Sequence, residues 1–125
     1  MRVNGSDEYD DRQDLMIKIR ERIKDASLAK AVGDEVAAEL LFKYYDHLKE
    51  SVNLLQNHMS DHDMMGVRNI AHSLKGSGKS YGLSFVTEIG VLLSSSAKKE
   101  DINELMELIE KLDKWVKDSF LENIT

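Results

Sequence analysis

Apolar residues recur along this chain at spacings of three and four, and the strict alternation expected of a half-buried strand is missing throughout. Leu15, Ile19, Ile23 and Ala26 mark the inward stripe of a first predicted helix, from about Tyr9 to Val32. Gly33 suits its C-terminal cap, and Asp34 suits the N-cap of the next helix. That second predicted helix runs from Glu35 to about Met59. Its stripe is Ala37, Leu41, Tyr44, Leu48, Leu55 and Met59, with Leu40 and Val52 beside it. The run Ser60-Asp61-His62-Asp63 offers capping oxygens, and a third helix follows, from Asp61 to about Tyr81. Ser84 is placed to cap a fourth, from Phe85 to about Lys98, with Val86, Ile89, Leu93 and Ala97 inside. Asp101 and Glu104 have capping-box-like spacing and open a fifth. The fifth helix directs Ile102, Leu105, Leu108, Ile109, Leu112, Val116 and Phe120 inward.

Short breaks between these segments predict an all-α fold, an antiparallel four-helix bundle with an additional N-terminal helix. Residues 1–8 read as a flexible polar tail and residues 9–125 as one domain. Proline is absent, which favours long helices. Cysteine is absent too, so neither disulfides nor a thiolate metal site enters the picture. No apolar run is long enough to suggest a membrane span. The acidic start lacks the apolar core of a secretory signal. The expected location is the cytoplasm.

The formal net charge of −6 argues against bulk attraction to nucleic acid or to anionic lipid, and neither is an expected partner. Its distribution is more informative than its total. Between Met64 and Leu83 the charged residues are Arg68, Lys75 and Lys79, a local +3 on a chain that carries −9 elsewhere. The same stretch holds Gly76, Gly78 and Gly82, although a glycine inside a helix costs about 1 kcal/mol relative to alanine. At about 100° per residue, with Val67 set at zero, Ile70, Ala71, Leu74, Gly78 and Tyr81 fall within about 60° of one direction. His72 lies at about 140°, nearly opposite. The pattern therefore predicts a solvated imidazole outside the core. Its helix-surface neighbours are Arg68, Asn69, Lys75 and Gly76, with Met65 and Lys79 a turn further away.

A neutral imidazole offers a free ring nitrogen to an electrophile, and Lys75 can stabilise negative charge on what is attacked. Gly76 removes a side chain that would block a bulky partner. A phosphoryl group suits this set, because its transfer needs in-line positioning and nearby cations more than covalent help. The chain has no GxxxxGK[ST] loop and no obvious carboxylate constellation for Mg²⁺, so a phosphoryl donor must come to it.

The segment AHSLKGSGKSYG, Ala71 to Gly82, resembles the signature of histidine-containing phosphotransfer (HPt) domains: His72, Leu74, Lys75, Gly76 and Gly82 match, within a bundle from about Asp34 to Phe120. The resemblance implies a phosphorelay intermediate with no ATP-dependent kinase activity of its own. By it, His72 would take a phosphoryl group on Nε2 from a receiver aspartyl phosphate and pass it to another receiver. Lys75 would stabilise the group in transit. Met65, Arg68, Asn69, Gly76 and Lys79 would form the docking surface. The implied partners are response-regulator receivers and a hybrid sensor kinase. No cofactor would be bound by this chain, Mg²⁺ being held by the receiver. The run GSGKSYG departs from the family pattern in its early glycines and Lys79, which bears on the end of the third helix.

Competing readings are a non-catalytic adaptor that binds a receiver or partner helix, and a metal-binding bundle. Retention of both His72 and Gly76 counts against the adaptor. His58 and His62 are four apart, but a predicted helix break separates them, so HMSDHD reads as a capping loop.

Overall fold

The computed structural model describes the backbone of residues 4–24 and 26–124, and side chains from Asp11 onward apart from residues 25 and 125. Among the described residues all regular structure is helical: α1 (Asn4–Arg22), α2 (Ser27–Val32), α3 (Asp34–Ser60), α4 (Met64–Ser80), α5 (Ser84–Lys98), α6 (Ile102–Asp118) and a 3₁₀ turn, Leu121–Asn123. The all-α prediction holds. Two compact units are distinguished, one of Tyr45–Phe120 and one of the chain through Tyr44 with the residues from Leu121 onward.

In the N-terminal unit the single helix expected from Tyr9 to Val32 is two. α1 already begins at Asn4, while residues 1–3 of the expected tail lie outside the described residues. The break comes at Ala26, whose φ and ψ of −68° and 149° are extended. Ile23 and Ala26 are nonetheless both buried, so the apolar stripe crosses the bend without interruption. Periodicity reads a continuous stripe and cannot see that the backbone turns beneath it. Arg12 lies over the Phe42 ring at 4.6 Å, and Arg20 donates to Glu35 at 2.9 Å. Gly33, at φ 89°, ends α2 as its position predicts.

The second unit comprises the C-terminal half of α3 with α4, α5 and α6. Its interior is built from the expected stripes: Leu48, Val52 and Leu55 of α3; Val67, Ala71 and Leu74 of α4; Val86, Ile89 and Leu93 of α5; and Leu105, Leu108, Leu112 and Val116 of α6. Trp115 stacks on Phe85 at 5.1 Å and meets Phe120 edge-on at 6.2 Å.

Each connection here has three residues and the same hydrogen-bond construction. Between α4 and α5, the Leu83 N–H donates to Gly78 O at 2.8 Å and the Gly82 N–H to Lys79 O at 3.2 Å, with Gly82 left-handed at φ 69°. This is a Schellman termination. It recurs after α3, with His62 at φ 52° and Asp63 N–H donating to His58 O at 2.7 Å. It recurs again after α5, with Glu100 at φ 54° and Asp101 N–H donating to Ser96 O at 2.9 Å. Asp63 and Asp101 each serve twice. Their N–H groups close one helix, and their carboxylates cap the next by accepting from Gly66 N at 2.8 Å and Glu104 N at 3.1 Å. The capping expected of Asp101 is thus observed, and within SDHD the capping residue is Asp63, so α4 starts three residues later than predicted. Ser84 does not cap α5. It is the first helical residue, and buried Leu83 occupies the N-cap position without a side-chain bond.

Candidate functional site

α4 presents His72 on its exposed side, while Val67, Ala71, Leu74 and Gly78 are buried on the other. The phase computed from the sequence is therefore observed. Lys75, Gly76 and Lys79 are exposed with His72, Asn69 is exposed, and Arg68 is half-buried. Met65 is 61 % exposed, a large apolar side chain left in water at the start of the same face. A Cβ added at Gly76 would meet nothing within 4 Å, so the space one turn beyond His72 is open. The end of α4 is held by hydroxyls bonding back along the helix, Ser80 Oγ donating to Gly76 O at 3.2 Å.

α4 lies unusually close to α5, and two glycines account for it. A Cβ at Gly78 would lie 2.7 Å from both the backbone nitrogen and Oγ1 of Thr87. A Cβ at Gly90 would lie 2.7 Å from Ala71 O and Lys75 N. Gly78 was expected on the core face as a packing residue, and that is its place. Gly90 is the counterpart on α5. It sits against the turn of α4 from Ala71 to Lys75 that carries His72.

This closeness makes α5 part of the site. Among the described residues, three clefts border on His72. The largest, about 690 Å³, runs past Lys75, Gly76 and Lys79 to Ser84, Thr87 and Glu88 of α5. A second, about 310 Å³, lies over Gly90, Val91, Ser94 and Lys98. A third, about 320 Å³, joins Met65, Arg68 and Asn69 of α4 to Ser94 and Lys98. The structure thus brings Met65, Arg68, Asn69, Lys75, Gly76 and Lys79 into clefts that border one imidazole, and adds a second helix that sequence reasoning missed. Lys98 brings a fourth cation, Val91 a second exposed apolar side chain, Ser94 a hydroxyl and Glu88 a carboxylate. The available signal was the spacing of Thr87, Val91, Ser94 and Lys98, four, three and four, which places them on one helical face beside an otherwise unexplained mid-helix glycine.

Among the described residues lining these clefts the charges are Arg68, Lys75, Lys79 and Lys98 against Glu88. Such a face attracts an anionic group and an acidic partner. Two histidines outside it, His58 and His62, are occupied differently. His58 Nδ1 lies 3.2 Å from Asp63 Oδ2, and His62 Nε2 lies 3.6 Å from Glu100 Oε1. The two rings turn to separate carboxylates in the capping loops.

A family model, the Hpt domain, matches residues 39–119. The chain belongs to the Hpt domain family, whose members are histidine-containing phosphotransfer modules that work with receiver domains in two-component phosphorelays. Comparison with curated proteins and with solved structures returned no match. No helix among the described residues is long and apolar enough to cross a membrane.

Proposed function

We propose that this protein is a phosphorelay intermediate in which His72 accepts a phosphoryl group from a receiver aspartyl phosphate and yields it to the aspartate of another receiver. The observation that carries the reading is the exposed imidazole of His72 on α4, inside the segment matched by the family model and open on the Gly76 side. In the forward step the Nε2 lone pair attacks phosphorus in line. The P–O bond to the aspartyl oxygen breaks, and the departing carboxylate keeps the electron pair. Nδ1 retains its proton, so no base is needed on this chain, and the reverse step retraces the same path. Lys75, one turn along α4, neutralises charge on the equatorial oxygens. Arg68, Lys79 and Asn69 hold the partner's acidic rim, and Met65 supplies the apolar part of a small, transient interface. Gly76 keeps the approach clear.

Mg²⁺ belongs to the receiver's acidic pocket in this scheme, and ATP is used upstream, by a hybrid sensor kinase. The working compartment is the cytoplasm. The test is transfer of radiolabel from phosphorylated receivers to the intact chain. His72→Gln should keep the helical circular dichroism spectrum and take up no label, and Lys75→Ala should slow uptake at unchanged helicity. The adduct on the native chain should be acid-labile and stable to alkali. Label reaching His72→Gln at the native rate would overturn the assignment.

A further inference from the structure

We infer that Glu88 of α5 is a specificity residue of this face: its carboxylate favours receivers that present a cation opposite it and disfavours those that present an acid there. The inference rests on the phosphorelay reading and deepens it.

Glu88 lines the same cleft as His72, Lys75 and Lys79, and it is exposed. Among the described residues no ion pair or hydrogen bond engages it, although two ammonium groups border the same space. It is thus a charge that the fold itself leaves unused. The cations around His72 attract any acidic pocket alike. They accelerate encounter with receivers in general and cannot tell one from another. A single carboxylate within that field has the opposite effect. It penalises an acidic surface that brings nothing to answer it, and rewards one that does. Selectivity is a difference between affinities, and a repulsive element against the wrong partner is a direct way to build one.

Position supports this division of labour. Glu88 lies one turn beyond Ser84 on the same face of α5, and both line the cleft shared with His72, Lys75 and Lys79, whereas Ser94 and Lys98 line the other clefts beside His72. It is therefore within reach of a partner that docks over His72. A simpler role exists. A carboxylate near the start of a helix can interact favourably with the helix dipole, an effect that fades beyond the first turn. That role affects stability and leaves partner preference untouched, so the two are separable.

The experiment compares the intact native chain with Glu88→Gln and Glu88→Lys, each offered two sets of phosphorylated receivers. One set carries Lys or Arg beside the aspartyl pocket and the other Asp or Glu. Glu88→Lys should lower the rate of label uptake from the first set by about tenfold and raise it from the second, with Glu88→Gln between. The gap should narrow in about 1 M salt, where exposed charges are screened within a few ångströms. Equal changes for both sets, or a shifted thermal midpoint with an unchanged ratio of rates, would overturn the inference. Absence of label uptake by the native chain from every receiver would instead strike at the phosphorelay reading.

Discussion

Replacing Gly90 by alanine tests the α4–α5 crossing that supports His72. The added methyl would lie 2.7 Å from Ala71 O and Lys75 N and 3.0 Å from Lys75 Cα, where ordinary contact begins at 3.4 Å. All three are backbone atoms of α4 and cannot rotate aside, so the two helices must part by about 0.7 Å. Overpacking of this kind costs about 1–3 kcal/mol, and a clash with backbone belongs at the upper end. Against it stands the helix propensity of alanine over glycine, about 1 kcal/mol. The expected net loss is about 2 kcal/mol. With an m-value near 2 kcal/mol/M, the urea midpoint followed by circular dichroism should fall by about 1 M at unchanged slope. Gly76→Ala is the matched control. Nothing lies within 4 Å of its added methyl, so propensity alone acts and the fold should gain up to about 1 kcal/mol. In the proposed mechanism the same methyl obstructs the partner and slows transfer. A Gly90→Ala protein as stable as Gly76→Ala would refute the close crossing.

Ser96 is 1 % exposed and its Oγ has no hydrogen-bond partner, so Ser96→Ala should stabilise the fold by about 1 kcal/mol in urea titration. Glu100 holds a left-handed φ of 54° with an exposed carboxylate; Glu100→Gly should relieve about 1 kcal/mol of strain, lose less than that from the exposed pair with His62, and raise the thermal midpoint. Tyr45 has a phenol raised above its ordinary value near 10, chiefly by burial and then by the Asp46 carboxylate, with Lys117 opposing. Its contribution is complete below pH 10 and is lost as pH rises through the folded value, because the unfolded phenol ionises first. Tyr45→Phe should therefore flatten the decline in urea midpoints above about pH 10, and an unchanged decline would refute it.

The helices and the face bearing His72 were legible because both follow from phase within one helix. Gly78 illustrates the point: it falls about 20° from the core direction, and the structure buries it against Thr87. Features that depend on how two helices meet were not legible. Gly90, Ser94, Lys98 and Glu88 join the site through the register of α5 on α4, and no single-helix periodicity contains that register. The bend at Ala26 escaped notice because apolar residues continue on both sides of it. His62 and Glu100 escaped because a left-handed residue announces itself in sequence mainly when it is glycine or asparagine. Ser84 misled for a related reason: a capping side chain was available, but the turn closed one residue earlier on Leu83.

The glycine seat beneath Ala71–Lys75 also governs when the imidazole acquires its place. With main chain resting on main chain, that stretch of α4 has little room to breathe independently. Its amides should be among the slowest in the chain to exchange with deuterium, opening only when the whole second unit opens. The ordering of the ring's support is then completed as the polypeptide folds, and an arriving molecule meets a ledge that is already still.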